Sequence, residues 1–285
     1  MRPWVKTLRT AIPAMALAAL LSALLAYGAA LFYAWMNPKA LIYQLDRRDV
    51  APHEAGLEGI FIAEKLEAAD GTPLTVWVAP GLPRRPVVVY LMGEAGSLAD
   101  RAARLKRLAA EGYGVAALAW RGSGGAAGEP SEEAFLSDAA TVYDALPELL
   151  GHRPTSWRVV AYGESLGGAV AARLAEERPL GAVVLESPFL SIRALAEENF
   201  AFLPAGLAPE SFDMLASVQE LQIPLLVMYG GRDASVPPEQ SARIFAAAYE
   251  PKRVFYAPEA GHGALWSYGG FEAAAGFIEY FARFR

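Results

Sequence analysis

The chain has 285 residues, of which 54% are hydrophobic, and it carries a formal net charge of −6. This length allows one large domain or two small ones, and the acidic balance gives no sign of nucleic-acid binding. The sequence contains no cysteine and three histidines. Disulfides, thiolate metal sites and cysteine nucleophiles are therefore excluded, and base catalysis has few candidate residues.

An uncharged segment near the N-terminus predicts a membrane helix. Residues 10–36 contain no charged side chain, and Arg2, Lys6 and Arg9 precede them. A membrane span needs about 20 mostly apolar residues, whereas the apolar core of a cleaved signal peptide has roughly 7–15. We therefore interpret residues 1–36 as an uncleaved anchor rather than a cleaved signal. The basic end should stay in the cytoplasm and send the rest of the chain across, into the periplasm in a Gram-negative bacterium.

The remaining chain alternates between apolar runs and helix-like segments. Residues 37–56 are mixed and polar, with interrupting prolines, and are interpreted as a juxtamembrane tether. The alternation over residues 57–285 predicts one domain with a mostly parallel sheet and helices on both faces. Asp70-Gly71 is a hairpin turn signal between the first two strands. The predicted strands are Ile60–Leu66, Leu74–Ala79, Val87–Leu91, Val115–Ala119, a run from Val159, Ala182–Glu186, Leu225–Tyr229 and Arg253–Tyr256.

Helical patterns fill the intervals between these strands. One predicted helix follows Leu98. A second follows Ser131 as its N-cap and has a buried stripe that runs to Leu149. The other predicted helices cover Ala169–Glu177, Pro238–Ala248 and Phe271 to the C-terminus. Residues 187–223 form an irregular segment rich in aromatic residues and are interpreted as a small cap. These aromatic residues form either a flap over an apolar acyl site or packed core. His53 and His152 lie in connecting segments and are interpreted as solvent-exposed.

The segment Gly163-Glu164-Ser165-Leu166-Gly167 joins a predicted strand to a predicted helix. Gly-x-Ser-x-Gly in this context is the pattern of a nucleophile elbow, which exposes a serine on a sharp turn. The two glycines give the turn the room that it needs. The serine also lies at a helix N-terminus, where free N–H groups favour negative charge. An ordinary glycine-rich turn has the same pattern, so the interpretation depends on partner residues elsewhere.

Two other strand ends carry the partners that a serine nucleophile needs. Asp233 follows the predicted strand Leu225–Tyr229, and His262 follows Arg253–Tyr256. Reactive groups in such sheets gather at the carboxyl ends of the strands. We therefore expect Ser165, Asp233 and His262 to meet as a triad, in the chain order of the α/β-hydrolases. The histidine would take the serine proton, and the aspartate would orient the histidine.

Backbone N–H groups of Leu166 and Glu94 are the expected oxyanion hole. Leu166 directly follows the candidate nucleophile, and Glu94 lies in the loop after Val87–Leu91. A carboxylate near a developing oxyanion raises the reaction barrier. The Glu94 side chain must therefore point to solvent, pair with an arginine or be protonated. We expect a pair with Arg121 or Arg232, because both follow strand ends at the same edge of the sheet.

From about Gly59 to Phe281 the chain resembles the α/β-hydrolase superfamily. It is most similar to the bud-emergence-protein-like branch of serine hydrolases, which are often membrane-anchored. The matching segments are Leu91–Leu98 against the family's L-H-G-N-A-G-N-L, Arg121–Gly124 with Gly128–Ser131, Ser165–Gly168, Glu186–Ile192, Asp233–Pro237 and Gly261-His262. Met92 replaces the family's usual histidine and Glu94 its usual asparagine. The resemblance implies an α/β-hydrolase fold with the triad at Ser165, Asp233 and His262.

These residues predict a serine hydrolase that cleaves carboxylic esters through an acyl-serine intermediate, without a metal or an organic cofactor. A thioesterase, an amidase or an acyltransferase would use the same residues. A membrane-tethered binding protein on a hydrolase scaffold is the alternative from another class, because a fold does not fix a function. The expected partners are a small-molecule or lipid-like ester and the membrane, with no nucleic acid.

Overall fold

Residues 3–199 and 211–282 are described in the computed structural model of the chain. The strands are β1 (Gln44–Leu45), β2 (Ile62–Glu67), β3 (Pro73–Ala79), β4 (Val87–Leu91), β5 (Ala95–Gly96), β6 (Gly114–Ala119), β7 (Val159–Glu164), β8 (Ala182–Glu186), β9 (Leu225–Gly230) and β10 (Lys252–Ala257). The helices are α1 (Pro3–Met36), α2 (Ala102–Ala110), α3 (Glu132–Asp144), α4 (Leu146–Leu149), α5 (Leu166–Glu177), α6 (Ile192–Asn199), α7 (Met214–Glu220), α8 (Pro238–Ala247) and α9 (Gly270–Ala282).

The central sheet has the order β10-β9-β8-β7-β4-β6-β3-β2 within the described ranges. Strand β3 pairs antiparallel with β2 and β6, and the other neighbours pair in parallel. The predicted mostly parallel sheet is confirmed. Strands β4, β6, β7 and β8 are buried along their whole length, which explains their continuous apolar runs.

Helices cover both faces of this sheet. On one face α3, α5, α7 and α8 contact one another in succession. Helices α2 and α9 adjoin each other through Arg107, whose guanidinium lies 3.9 Å from the centre of the Phe271 ring. Ser131 N-caps α3 as predicted and accepts a hydrogen bond from the Ala134 N–H at 3.1 Å. The helix predicted to run to Leu149 is interrupted at Ala145, and Pro147 lies in the first turn of the short helix α4.

The described parts of the cap segment pack into the domain. Phe189 and Phe212 are each only 1% exposed, so these two aromatic side chains belong to the core. Helix α6 and helix α7 lie on either side of residues 200–210. The predicted cap residues Phe200, Phe202, Leu203 and Leu207 lie outside the described residues.

Helix α1 contains the segment Met15–Met36, which has a mean hydropathy of 2.1 and the length to cross a membrane. Most of the large apolar side chains along this segment are exposed. The residues that follow α1 pack against the domain, whereas a simple tether would make no such contacts. Ile42 and Tyr43 are buried in the core, and the Tyr43 ring packs edge-on against Phe135 at 5.5 Å between centroids. Strand β1 then pairs in parallel with β5.

Candidate active site

Ser165 lies on a sharp turn between β7 and α5, as the sequence predicts. Its backbone has φ +46° and ψ −114°, a conformation that a residue with a side chain rarely adopts. A Cβ atom at Gly163 would lie 2.3 Å from the Gly167 carbonyl oxygen, and one at Gly167 would lie 2.2 Å from that of Leu91. Both glycines are therefore required by close backbone contacts. The Ser165 N–H donates to the Glu186 carbonyl at 2.8 Å, which fixes the turn to β8.

Asp233 and His262 meet at the same edge of the sheet. The Asp233 Oδ2 atom lies 2.8 Å from Nδ1 of His262. Its Oδ1 atom accepts hydrogen bonds from the N–H groups of Ser235 at 2.9 Å and Val236 at 2.8 Å. These bonds fix the orientation of the Asp233 carboxylate. Because Nδ1 of His262 is bound to Asp233, Nε2 is the free nitrogen of the imidazole.

The electrostatic surroundings of His262 favour its protonated form. Burial acts to lower the pKa of the imidazole, but the hydrogen bond and charge of Asp233 and the charges of Glu94 and Glu186 outweigh it. The pKa of His262 is therefore raised above its ordinary value of 6.5. For Asp233, burial acts to raise the pKa of the carboxyl, and the bonds from His262, Val236 and Ser235 hold that pKa below its usual value.

Ser165 and His262 line one cavity of about 90 Å³, and Asp233 lies behind the histidine. The remaining lining residues are Gly93, Glu94, Ala95, Arg101, Glu164, Glu186, Ser187 and Gly263. Within the described part of the chain, the Ser165 hydroxyl and the imidazole do not form a hydrogen bond. Such bonds are often long before substrate binds. The apolar acyl wall expected from the cap is not among the described lining residues.

The backbone around Ser165 supplies two free donors. The N–H groups of Leu166 and Glu94 form no hydrogen bond to other described residues. The loop that carries Glu94 is close to the serine, because a Cβ atom at Gly93 would lie 3.6 Å from Cβ of Ser165. The two expected oxyanion donors therefore lie in two loops that meet beside Ser165.

The loop between β4 and β5 is held by the segment that follows α1. The Gln44 N–H donates to the Glu94 carbonyl at 3.0 Å, and the Asp46 N–H donates to the Gly96 carbonyl at 2.9 Å. On its inner side, the indole N–H of Trp120 donates to the carbonyls of Met92 at 3.0 Å and Gly93 at 3.2 Å. Sequence reasoning missed this support, because a strand of two residues leaves no periodic pattern.

A network of buried charges lies under the elbow. Arg104 contacts Glu164 at 3.0 Å and Glu186 at 2.7 Å, and Arg101 contacts Glu164 at 3.1 Å. Arg104 also donates to the carbonyl of Gly263, next to His262, at 2.7 Å. Burial acts to raise the pKa of Glu164, but Arg104 and Arg101 hold it below its usual value.

Tyrosine hydroxyls complete the network of buried charges. Tyr90 donates to Glu164, and Tyr162 donates to Glu186 at 2.5 Å. The two tyrosine rings stack on each other with 5.4 Å between their centroids. The indole N–H of Trp266 in turn donates to the Tyr162 hydroxyl at 2.8 Å. The carboxylates that flank the elbow are thus hydrogen-bonded from both sides.

The expected pairing of Glu94 with Arg121 or Arg232 is wrong. Arg121 binds Asp138 at 2.7 Å and Asp70 at 2.6 Å, and the Asp138 side chain is fully buried. A buried carboxylate needs a counter-charge far more than an exposed one, so Asp138 holds Arg121. Arg232 pairs with Glu259 at the surface at 2.5 Å.

Ser187 is a site residue that the sequence analysis did not single out. It lines the cavity with Ser165, has φ +49°, and is 2% exposed. Its hydroxyl oxygen is buried without a hydrogen-bond partner among the described residues. The signal available in the sequence was its position, one residue past a strand end, in Glu186-Ser187-Pro188.

In the described ranges, no group of three or more acidic or histidine side chains has an arrangement suited to a metal ion.

Comparison with known proteins supports the interpretation of the fold. Residues 83–212 match the model of the family described as serine aminopeptidase, S33. The α/β-hydrolase domain-containing protein WAV2 of Arabidopsis thaliana is 30% identical, over 72% of this chain and 73% of its own. The lysophosphatidylserine lipase ABHD12 of Danio rerio is 30% identical, over 59% of this chain and 48% of its own.

One solved structure with a similar fold is that of the Pyrococcus furiosus esterase Pf2001. It superposes with a TM-score of 0.69 at 20% identity, over 85% of this chain and 99% of its own. At that identity the match shows the fold alone. The fold and the family matches together define a hydrolase of the serine type. The chain belongs to the α/β-hydrolase superfamily.

Removing Arg104 should destabilise the protein strongly, because it would leave the buried carboxylate of Glu186 without a counter-charge. For Arg104→Leu we expect the free energy of unfolding to fall by about 3–5 kcal/mol. Urea unfolding of the full chain in detergent measures this quantity. The matched control is Arg178→Leu, which removes a surface pair with Asp144 and should cost less than about 1 kcal/mol. Equal losses in the two variants would contradict the role assigned to the buried network.

Removing the backbone donor at position 44 should impair turnover. Gln44→Pro deletes the N–H that binds the Glu94 carbonyl, whereas Gln44→Ala keeps it and changes only an exposed side chain. Because displacing a catalytic group slightly has large kinetic effects, we expect about a tenfold lower kcat for Gln44→Pro. The KM and the midpoint of thermal unfolding should hardly change. Hydrolysis of p-nitrophenyl butyrate is the assay, and equal kcat values for the two variants would refute this role.

Proposed function

We propose that this hydrolase cleaves carboxylic esters through an acyl-serine intermediate on Ser165. The observation that carries the proposal is the shared cavity, into which a strained serine and a histidine bound to a buried aspartate both open. The names of the relatives and of the structural neighbour are consistent with ester hydrolysis. They include an esterase and a lipase.

The first half of the proposed reaction forms the acyl-enzyme. Oγ of Ser165 attacks the scissile carbonyl carbon while Nε2 of His262 takes the hydroxyl proton. Asp233, already on Nδ1, stabilises the resulting imidazolium. The negative charge that develops on the carbonyl oxygen is bound by the N–H groups of Leu166 and Glu94. When the tetrahedral intermediate collapses, the bond to the alcohol breaks and His262 gives its proton to the alcohol.

The second half releases the acid. His262 removes a proton from a water molecule, the water oxygen attacks the acyl carbon, and the same two N–H groups bind the second oxyanion. Collapse of this intermediate breaks the bond to Oγ, and the proton on His262 returns to Ser165. An acyl transferase, a thioesterase or an amidase would use the same steps with another acceptor or leaving group, and all three remain alternatives.

Membrane attachment points to substrates at a lipid surface. We propose that α1 anchors the chain, with the cytoplasm on the side of Arg2, Lys6 and Arg9 and residues 57–285 as the catalytic domain. Seven residues lie between Met36 at the end of α1 and Gln44 at the Glu94 loop, which makes eight residue steps. At most about 3.6 Å per residue, they span less than about 30 Å, so the cavity lies close to the membrane. A small or lipid-like ester is therefore the proposed substrate.

The second candidate function is binding without catalysis on the same scaffold. The two candidates differ in one property, since only a catalyst needs the Ser165 hydroxyl to be reactive. The strained turn at Ser165 favours catalysis, because backbone strain of this kind clusters at active sites.

Alanine variants test the proposed triad. Ser165→Ala and His262→Ala should each lower kcat for p-nitrophenyl butyrate by at least about a thousandfold, and Asp233→Ala should retain more activity. A fluorophosphonate probe should label the wild-type chain and fail to label Ser165→Ala. Near-normal turnover by Ser165→Ala would rule out the mechanism, and absence of both labelling and turnover in the wild type would favour the binding protein.

Reporter fusions test the proposed topology. A reporter placed after Arg285 that is active only outside the cytoplasm should give a signal in a bacterial host, and one active only in the cytoplasm should not. Carbonate washing should leave the chain in the membrane fraction. The reverse reporter pattern would refute the orientation, and release by carbonate would refute the anchor.

A further inference from the structure

The cavity next to Ser165 contains a carboxylate that no described cation neutralises. Glu164 and Glu186 are matched by two arginines, and Asp233 is matched by His262. Glu94 lines the same cavity, but its side chain forms no hydrogen bond or ion pair with the described residues. Its charge nevertheless acts on the imidazole, since it helps to raise the pKa of His262. A negative charge is thus left over at the reacting centre.

A second polar group without a partner faces this cavity. The Ser187 hydroxyl is buried and neither donates nor accepts a hydrogen bond within the described ranges. Buried polar groups are nearly always hydrogen-bonded, so an unpaired one at a cavity wall needs an explanation. A hydroxyl oxygen and a carboxylate are both acceptors. Together they fit a ligand group that donates hydrogen bonds and carries a positive charge.

We propose that the cavity binds a primary ammonium group of the substrate, with Glu94 and Ser187 as its acceptors. The proposal rests on the hydrolase function proposed above and adds a substrate class to it, esters that carry an ammonium group near the scissile carbonyl. The cavity of about 90 Å³ has the volume of about three water molecules. That volume has room for a small charged group.

The same geometry disfavours neutral substrates. The N–H of Glu94 is an expected oxyanion donor, so the side chain of the same residue lies close to the developing negative charge. Two like charges this close repel each other and raise the free energy of the transition state. An ammonium group on the substrate compensates the carboxylate and removes this repulsion. Glu94 is then a residue that determines specificity, while its backbone keeps its role in the reaction.

Pairs of esters that differ by one charge test this proposal. One pair places the charge on the acyl side, the p-nitrophenyl esters of β-alanine and of butyric acid. The other places it on the alcohol side, 3-aminopropyl butyrate and n-butyl butyrate. Within each pair an NH₃⁺ group replaces a CH₃ group of similar size. The quantity measured is the ratio of kcat/KM for the charged ester to that for the neutral ester, so the intrinsic reactivity of each ester cancels between enzyme variants.

In at least one pair, Glu94→Gln should lower this ratio by about tenfold or more relative to wild type. We expect part of the change to come from faster hydrolysis of the neutral ester. Ser187→Ala should lower the ratio about threefold through the charged ester alone. The control Glu259→Gln removes the same charge from a surface pair three residues before His262 and should leave both ratios unchanged.

Ratios that stay within twofold of wild type in Glu94→Gln for both pairs would overturn the ammonium site. Failure of the hydrolase proposal looks different. In that case none of the four esters is cleaved, and the fluorophosphonate probe does not label Ser165. The two failures are therefore separable in one set of measurements.

Discussion

The position of Arg104 is the constraint on which the rest of the site depends. One guanidinium binds the carboxylates at the ends of β7 and β8 and the carbonyl of Gly263 in the histidine loop. These three points carry the serine turn, the cavity wall with Ser187, and His262. Burying two carboxylates in this way is unfavourable unless their charges are matched and their oxygens hydrogen-bonded. Arg101, Tyr90 and Tyr162 supply the remaining bonds, so the network holds together only with all parts in place.

The segment that follows helix α1 is the second support of the site. Strand β1 binds the carbonyls of the loop from which the Glu94 N–H is proposed to bind the oxyanion. Tyr43 continues this contact inward, since it packs on Phe135, which stacks on Trp120 at 4.2 Å. Trp120 in turn binds the same loop from the inside. The segment interpreted from the sequence as a juxtamembrane tether thus packs against the core and the site.

The sequence was sufficient to predict features with local physical causes. The alternating strands and helices, the hairpin at Asp70-Gly71 and the turn at Ser165 all follow from apolar runs and from glycines in tight backbone contacts. The meeting of Asp233 with His262 was predictable because parallel strands bring their carboxyl ends to one edge. Features set by competition between distant groups were not predictable. Arg121 and Arg232 were the expected partners of Glu94, but the fully buried Asp138 holds Arg121 and Glu259 pairs with Arg232.

Other features left no pattern in the sequence that could be read. Strand β1 has two residues, too few for a periodic signal, and Ser187 becomes notable only through its burial without a partner. The uncompensated charge of Glu94 can likewise be recognised only from the structure, by counting the cations around it. These features lie around the cavity, so they concern the choice of substrate more than the reaction itself.

The most direct test of the account is to trap the acyl group on the chain. The full-length protein in detergent is mixed with p-nitrophenyl butyrate, quenched in acid within a single turnover, digested and mapped by mass spectrometry. The account predicts a butyryl group on the peptide that contains Ser165, present in the wild type and absent from Ser165→Ala. Steady hydrolysis with no butyryl group on Ser165 at any quench time, or with the group on another residue, would contradict it.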